Sequence, residues 1–138
     1  MKASEEALYA TYSMMLKQGF ELSTKYVTRN WGILAEILPM YQYGFARIHY
    51  PHLMNRLALG VFKISLLIIA EGKALKLEIK KTAHFKILTG NLALYINNIN
   101  INKEYLLVSG DEFAVQAGDC GQLVSHNGPA VVLQLVID

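Results

Sequence analysis

One cysteine and three prolines are all that this chain of 138 residues holds of the two residue types that most constrain a backbone. The single thiol, Cys120, cannot close an internal disulfide, so a small stapled secreted scaffold is excluded and a reducing, cytoplasmic setting is expected. Charge is scarce as well: Asp, Glu, Lys and Arg make up 17% of the residues. The 13 basic and 11 acidic side chains leave a net charge of +2, with no block of one sign. Nucleic-acid binding needs a dense basic face to release counterions from phosphates, and none is present. Leu57 to Ala70, the most apolar run, is interrupted by Lys63 and falls short of the about 20 residues a membrane-spanning helix requires. Basic residues followed by an apolar segment, the mark of a signal peptide, are not found at the N-terminus. Neither a nucleic acid nor a membrane is expected as a partner.

Apolar residues are plentiful, at 53% of the chain. A single domain of this size buries roughly 68% of the surface exposed by its unfolded form, so a core can form without staples. The excess of apolar over charged residues implies that some surface is covered by another copy. An isologous homodimer is the simplest closed form.

Taken in order, the chain begins with a helix signal. Ser4, Glu5 and Glu6 place a capping hydroxyl and two carboxylates at the positive end of a helix dipole. Leu8, Tyr12, Met15 and Leu16 recur at helical spacing, which predicts an amphipathic helix over Ser4 to Gln18, ended at Gly19 and docked through that stripe. Phe20 to Thr28 alternates and reads as a strand; Asn30, Trp31 and Gly32 mark a turn. Ile33 to Tyr43 reads as a short helix or loop interrupted by Pro39, and Gly44 to Tyr50 as a strand ended by Pro51. Leu57 to Ala70 gives one buried strand, or two joined at Gly60. After Glu71-Gly72, Ala74 to Lys81 alternates Leu75, Leu77 and Ile79 with Lys76, Glu78 and Lys80. From His84 onward the pattern is sharpest: HFKILTGNLALYI, YLLVSGDEFAVQAGD, GQLVS, HNGP and AVVLQLVI are strand-like runs separated by glycine turns. Their spacing predicts a mainly β domain, sandwich or barrel, with an N-terminal α-helix.

Phe62 to Ile137 resembles the cupin superfamily, whose fold is a double-stranded β-helix, or jelly roll. Gly72 and Gly90 match the glycines of the first cupin motif, and Gly110 and Gly118 those of the second. The chemical residues of those motifs are missing. Glu78 and Lys80 stand where the first motif has two histidines, Ala83 stands near its glutamate, and Gly121 replaces the histidine of the second. The resemblance therefore implies one cupin-like domain, with a helix over 1–19 and a core from about 57 to 138, that binds no metal and needs no cofactor. A divalent metal site requires converging imidazole and carboxylate ligands, which these positions do not supply. The stretches ILTGNLALYI and KEYLLVSGDEFAV are also similar to the cyclic-nucleotide-binding jelly roll. That family holds its phosphate with an arginine, and no arginine follows Gly110 here.

In the cupin frame Glu78 and Lys80 would face the barrel, Lys80 holding an anionic group and Glu78 acting as acceptor or base. The local alternation argues instead that Leu75, Leu77 and Ile79 point inward. His49, Tyr50 and His84, with Arg47, form a second group placed to rim a barrel mouth, whereas His126 beside Asn127-Gly128 reads as part of a hairpin turn. Tyr41, Tyr43 and Tyr50 cap the barrel or line a pocket. The candidate ligand-binding residues are thus Glu78, Lys80, His84, His49 and Tyr50. The expected function is a metal-free, non-enzymatic module for a small ligand or a protein partner. The alternatives are a metal-free sugar epimerase or isomerase, which would need a paired acid and base, and a structural subunit of a larger assembly.

Overall fold

The computed structural model describes residues 2–20, 22, 26–57, 61–78, 80–97 and 102–137, with the side chains at 2–4, 78, 97 and 102 outside the description. Helix α1 spans Lys2–Lys17. It ends in a left-handed cap: Gly19 has φ +92°, its amide reaches the Leu16 carbonyl, and the Phe20 amide reaches that of Met15 at 3.2 Å. The helix starts two residues before Ser4, so Ser4 lies in its first turn and not at the expected cap; the Ser4 side chain is outside the described residues. Of the strand expected over Phe20 to Thr28, residues 21 and 23–25 lie outside the described residues, Leu22 forms an isolated antiparallel bridge with Ile37, Phe20 and Tyr26 are not in a strand, and strand β1 is only Val27–Arg29. A two-residue turn at Asn30 and Trp31 joins β1 to β2, Gly32–Glu36.

Between Ile33 and Tyr50 the structure departs from the sequence pattern. Ile33 belongs to β2, and Pro39 opens a helix, α2, Pro39–His49. A proline at the first helical position loses no hydrogen bond, so it starts the element it was expected to interrupt. Gly44 to Tyr50 is therefore helix and cap, not strand. Buried Ala46 and the Phe45–His49 stack, four residues apart, give its inward side a helical period. A 3-10 turn, Pro51–Leu53, and a short helix α3, Met54–Leu57, follow. The long strand expected from Leu57 begins only with β3, Phe62–Ile69, and the proposed joint at Gly60 lies outside the described residues.

Strands β4 (Ala74–Glu78), β5 (Ala83–Asn97), β6 (Asn102–Leu107), β7 (Glu112–Val115) and β8 (Cys120–Ile137) complete an antiparallel jelly roll. The first half of β5 pairs with β7 and with the second half of β8, which pairs with β3, β3 with β2 and β2 with β1. The second half of β5 pairs with β6 and with the first half of β8, whose other edge takes β4. Two sheets thus share two long bent strands. The bend falls where the β5–β8 register shifts, between Ile87 and Asn91. Gly90 there has φ +107° and passes so close to Ala130 that a Cβ would lie 2.8 Å from the Ala130 Cβ. Opposite it, Asn127 and Gly128 have φ of 56° and 107°, and the Ser125 hydroxyl donates to the Gly128 carbonyl at 2.6 Å. Hence Gly90 and Asn127-Gly128 make a bulged corner inside continuous strands, where the sequence suggested a turn and a hairpin. Gly32 is fixed by close approach: a Cβ would sit 1.8 Å from the Ile68 carbonyl oxygen of β3.

Alternation along the larger sheet divides two cores. Leu67 and Ile69 of β3, Phe85 and Ile87 of β5 and Val132 of β8 face Leu77, Leu92, Leu94 and Leu123 inside the barrel. Ile64, Leu66, Ile68, Leu133 and Leu135 face outward, and the helices cover them with Leu8, Tyr12, Met15, Ala46, Tyr50 and Leu53. α1 is docked as expected, but one residue of its expected stripe is not: Leu16 is 42% exposed, whereas Met15 is 1% exposed. The buried face is Leu8, Tyr12 and Met15, spaced four and three apart, and Leu16 lies one step round the helix from it.

Candidate ligand site at the barrel mouth

The barrel interior is apolar along most of its length and opens between β4, on one sheet, and the first half of β5 with the second half of β8, on the other. The cavity there measures about 370 Å³. Leu75 and Leu77 of β4, Ala83 of β5 and Val136 of β8 give it an apolar wall, with Gln134 as the polar group contributed by β8. Lys76, Lys80 and Lys81 also line it. The walls follow from register: Ala83 pairs with Val136 and Phe85 with Gln134, so residues of one face of the larger sheet end at the opening. Lys80 is exposed in the bend that follows β4, off the strand expected to carry it. Among the described residues it forms no ion pair. Such a site combines an apolar bed, one amide for orientation and positive charge at the rim, where ligand desolvation is least costly.

The five candidate residues do not converge. Glu78 is the last residue of β4, its backbone paired with Cys120, and its side chain lies outside the described residues. Lys80 stands at the mouth. His84, His49 and Tyr50 are on the opposite face of the larger sheet, under the helices, because His84 alternates with the inward Ala83 and Phe85. They therefore do not rim the barrel mouth, and neither does Arg47, an exposed residue of α2. Tyr41 and Tyr43 are exposed on α2 rather than capping the barrel. Sequence reasoning missed Gln134, although a lone amide within VVLQLVI was a signal that one inward position of the closing strand differs.

The second group forms its own polar cluster. Tyr50 is fully buried, and the single proton of its hydroxyl is shared between the carbonyls of Leu133 at 3.0 Å and His84 at 3.2 Å, which pins the end of α2 to the sheet. Burial, with the charge of Glu112 adding to it, pushes its phenol far above the usual range. His52 Nε2 lies 3.0 Å from Glu112 Oε2, a pair the sequence gave no sign of. A cavity of about 220 Å³ runs between His84 and Glu112. His49 stacks on Phe45 at 5.8 Å and Phe20 at 6.2 Å. The Nε2 of His84 is buried with no hydrogen-bond partner among the described residues. Among those residues no group of three or more His, Cys, Asp or Glu is placed to share a metal ion.

Both partly buried imidazoles protonate below their ordinary value of 6.5: His84 through burial, then the charges of Arg56 and His52, and His49 through burial, then Lys86. The unfolded chain takes up these protons near 6.5 and the folded chain only at lower pH. Their contribution is thus complete above that value and is lost as pH falls through it. Urea midpoints measured on either side of pH 6.5 are expected to drop on acidification, and by less in His84→Gln. An identical drop in the variant would show that His84 does not contribute.

No protein-family model matches the chain, and no curated protein matches it in sequence. Solved structures do match in shape. The hydroxypropylphosphonic acid epoxidase from S. wedmorenis superposes with a TM-score of 0.59 at 10% identity, over 84% of this chain and 55% of the other. Vicilin from Corylus avellana (hazelnut) gives 0.59 at 9% identity, over 84% and 31%. A cupin superfamily protein from Desulfitobacterium hafniense gives 0.48 at 22% identity, over 55% and 66%. This chain spans less than two thirds of each of these proteins. At such identities the likeness is one of fold alone: in fold, this chain is a cupin-like jelly roll with an N-terminal helix.

Proposed function

We propose that the chain is a metal-free, non-enzymatic cupin-like module whose barrel mouth binds a small anion with an apolar body, in a reducing cytoplasmic setting. The observation that supports it is the composition of the mouth: Leu75, Leu77, Ala83 and Val136 form a bed that only an apolar body fills, and Lys80 stands beside it without a described counter-charge. Among the described residues no carboxylate lines the opening. The metal-free part rests on Glu78, Lys80 and Gly121 standing where the cupin motifs have histidines. Calorimetric titration with hexanoate is expected to give one saturable site, weakened about tenfold in Lys80→Glu, with hexanol binding more weakly than hexanoate. Elemental analysis of protein purified without chelator is expected to give no stoichiometric metal. Equal affinity for hexanoate and hexanol, or near-stoichiometric zinc, iron, manganese or nickel, would overturn the reading.

A metal-free isomerase is the second reading, favoured by the His52–Glu112 pair at the cavity beside His84. It predicts exchange of a proton next to a sugar carbonyl in deuterated water, abolished by Glu112→Gln. Self-association is also proposed, through α2. β3 is buried within its own chain, whereas Met40, Tyr43 and Ile48 of α2 are 79%, 57% and 71% exposed on a helix whose exposed face carries only Arg47 as a charge. A two-fold pairing of this helix with a second copy would cover them. Light scattering is expected to give twice the mass of one 15.5 kDa chain. Met40→Glu is expected to return it to one.

A further inference from the structure

A third cleft lies between α1 and the β1–β2 hairpin, with a volume of about 280 Å³. Glu5, Tyr9, Thr28, Arg29, Asn30 and Lys73 contribute to its lining. Three elements bring them together. Pairing of Gly32 with Ile69 sets the turn after β1 beside the turn after β3, and the Ala70 amide donating to the Trp31 carbonyl at 2.8 Å fastens the two. Arg29, the last residue of β1 before its turn, and Lys73, just after the turn that follows β3, are therefore brought together. Burial of Leu8 and Tyr12 holds the first turns of α1 across from them, which supplies Glu5 and Tyr9.

The charges in this cleft are not paired with each other. Elsewhere in the chain exposed acid and base do meet, as Lys63 Nζ and Glu36 Oε1 do at 2.6 Å across β2 and β3. Among the described residues, Glu5, Arg29 and Lys73 form no ion pair and no side-chain hydrogen bond. A cleft that presents one carboxylate and two cations, mutually unsatisfied, is complementary to a molecule carrying both signs a short distance apart. We infer that this cleft is a binding site for a small zwitterion of the α-amino acid class. Its carboxylate meets the guanidinium fork of Arg29 and the ammonium of Lys73, and its ammonium meets Glu5. Thr28 and Asn30 offer further hydrogen-bonding groups, and the ring of Tyr9, 41% exposed, offers an apolar side for the substituent.

The site is separate from the barrel mouth and from the His84 cavity, so its fate is independent of the reading above. The test uses the full chain, with backbone amide signals followed by heteronuclear NMR during titration with L-alanine, L-leucine and L-phenylalanine. Each is compared with its N-acetyl form, which lacks the ammonium, and its amide, which lacks the carboxylate; inorganic phosphate serves as a simple anion. Saturable shifts at Glu5, Arg29, Asn30 and Lys73 are expected with the free amino acids, with binding at least about tenfold weaker for either blocked form. Arg29→Gln is expected to abolish the shifts, and Glu5→Gln to remove the preference over the N-acetyl form. Both positions are exposed, so an unchanged thermal midpoint checks that the variants are folded. Absence of saturable shifts, equal binding of the N-acetyl form by the wild type, or shifts with phosphate as large as with the amino acids would overturn the inference.

Discussion

Phe85→Ala is expected to lower the stability of this chain by about 3–5 kcal/mol, a large part of the about 5–15 kcal/mol that holds a domain of this size folded. Phe85 is fully buried in the barrel and stacks on Phe113 with ring centroids 4.9 Å apart and planes 14° from parallel. It lies in the half of β5 that pairs on one side with β7 and on the other with β8, so neighbours on three strands would lose contacts to the void. Backbone hydrogen bonds on both edges restrain collapse into the space, and a cavity that cannot relax carries nearly its whole penalty. Denaturant titration reads the effect. Phe85→Leu, which restores most of the volume, is expected to recover much of it. A loss below about 1 kcal/mol in Phe85→Ala would mean that the barrel interior is not packed as described.

The second large effect separates two adjacent methionine and leucine positions. Met15→Ala is expected to cost about 2–5 kcal/mol, because Met15 is 1% exposed on the buried face of α1, within the core between the helices and the sheet. Leu16→Ala, at a side chain that is 42% exposed, is expected to change the midpoint by no more than about 0.5 kcal/mol. A helix of this length is marginal when isolated, so α1 persists through docking, and losing its central anchor loosens the cover over the outer core. Equal small effects from the two changes would show that α1 is not held to the sheet.

These two adjacent residues also show how far the pattern in the chain could be read. A period of 3.6 places both Met15 and Leu16 near one side of a helix, and only the position of the sheet beneath decides which is covered. The jelly roll from β3 onward was legible because alternation and glycine turns are local signals. The fate of Gly90 and Asn127-Gly128 was not. A left-handed residue serves a hairpin and a bulged corner equally well, and the choice depends on a partner strand some 40 residues away along the chain. Residues 39–50 were misread because a proline at the first helical position looks, in one dimension, like an interruption. At the candidate site, Lys80 could be named from its place in the cupin frame, and it does stand at the mouth. His84 could not be assigned to a face, because a single-residue step in a strand sends the side chain to the opposite side. The cleft at Glu5, Arg29 and Lys73 joins three distant segments and left no sequence motif at all.

Whether the barrel mouth is a ligand site is tested most directly by mapping where a short-chain carboxylate binds. Backbone amide signals of the wild-type chain would be followed during titration with hexanoate. Binding in the mouth predicts saturable shifts that begin at Leu75, Leu77, Ala83, Gln134 and Val136, are suppressed in Lys80→Glu, and leave the cluster of Tyr50, His52 and Glu112 unmoved. Shifts confined to that cluster or to the exposed side of α2, or no saturable shift at the mouth, would contradict it.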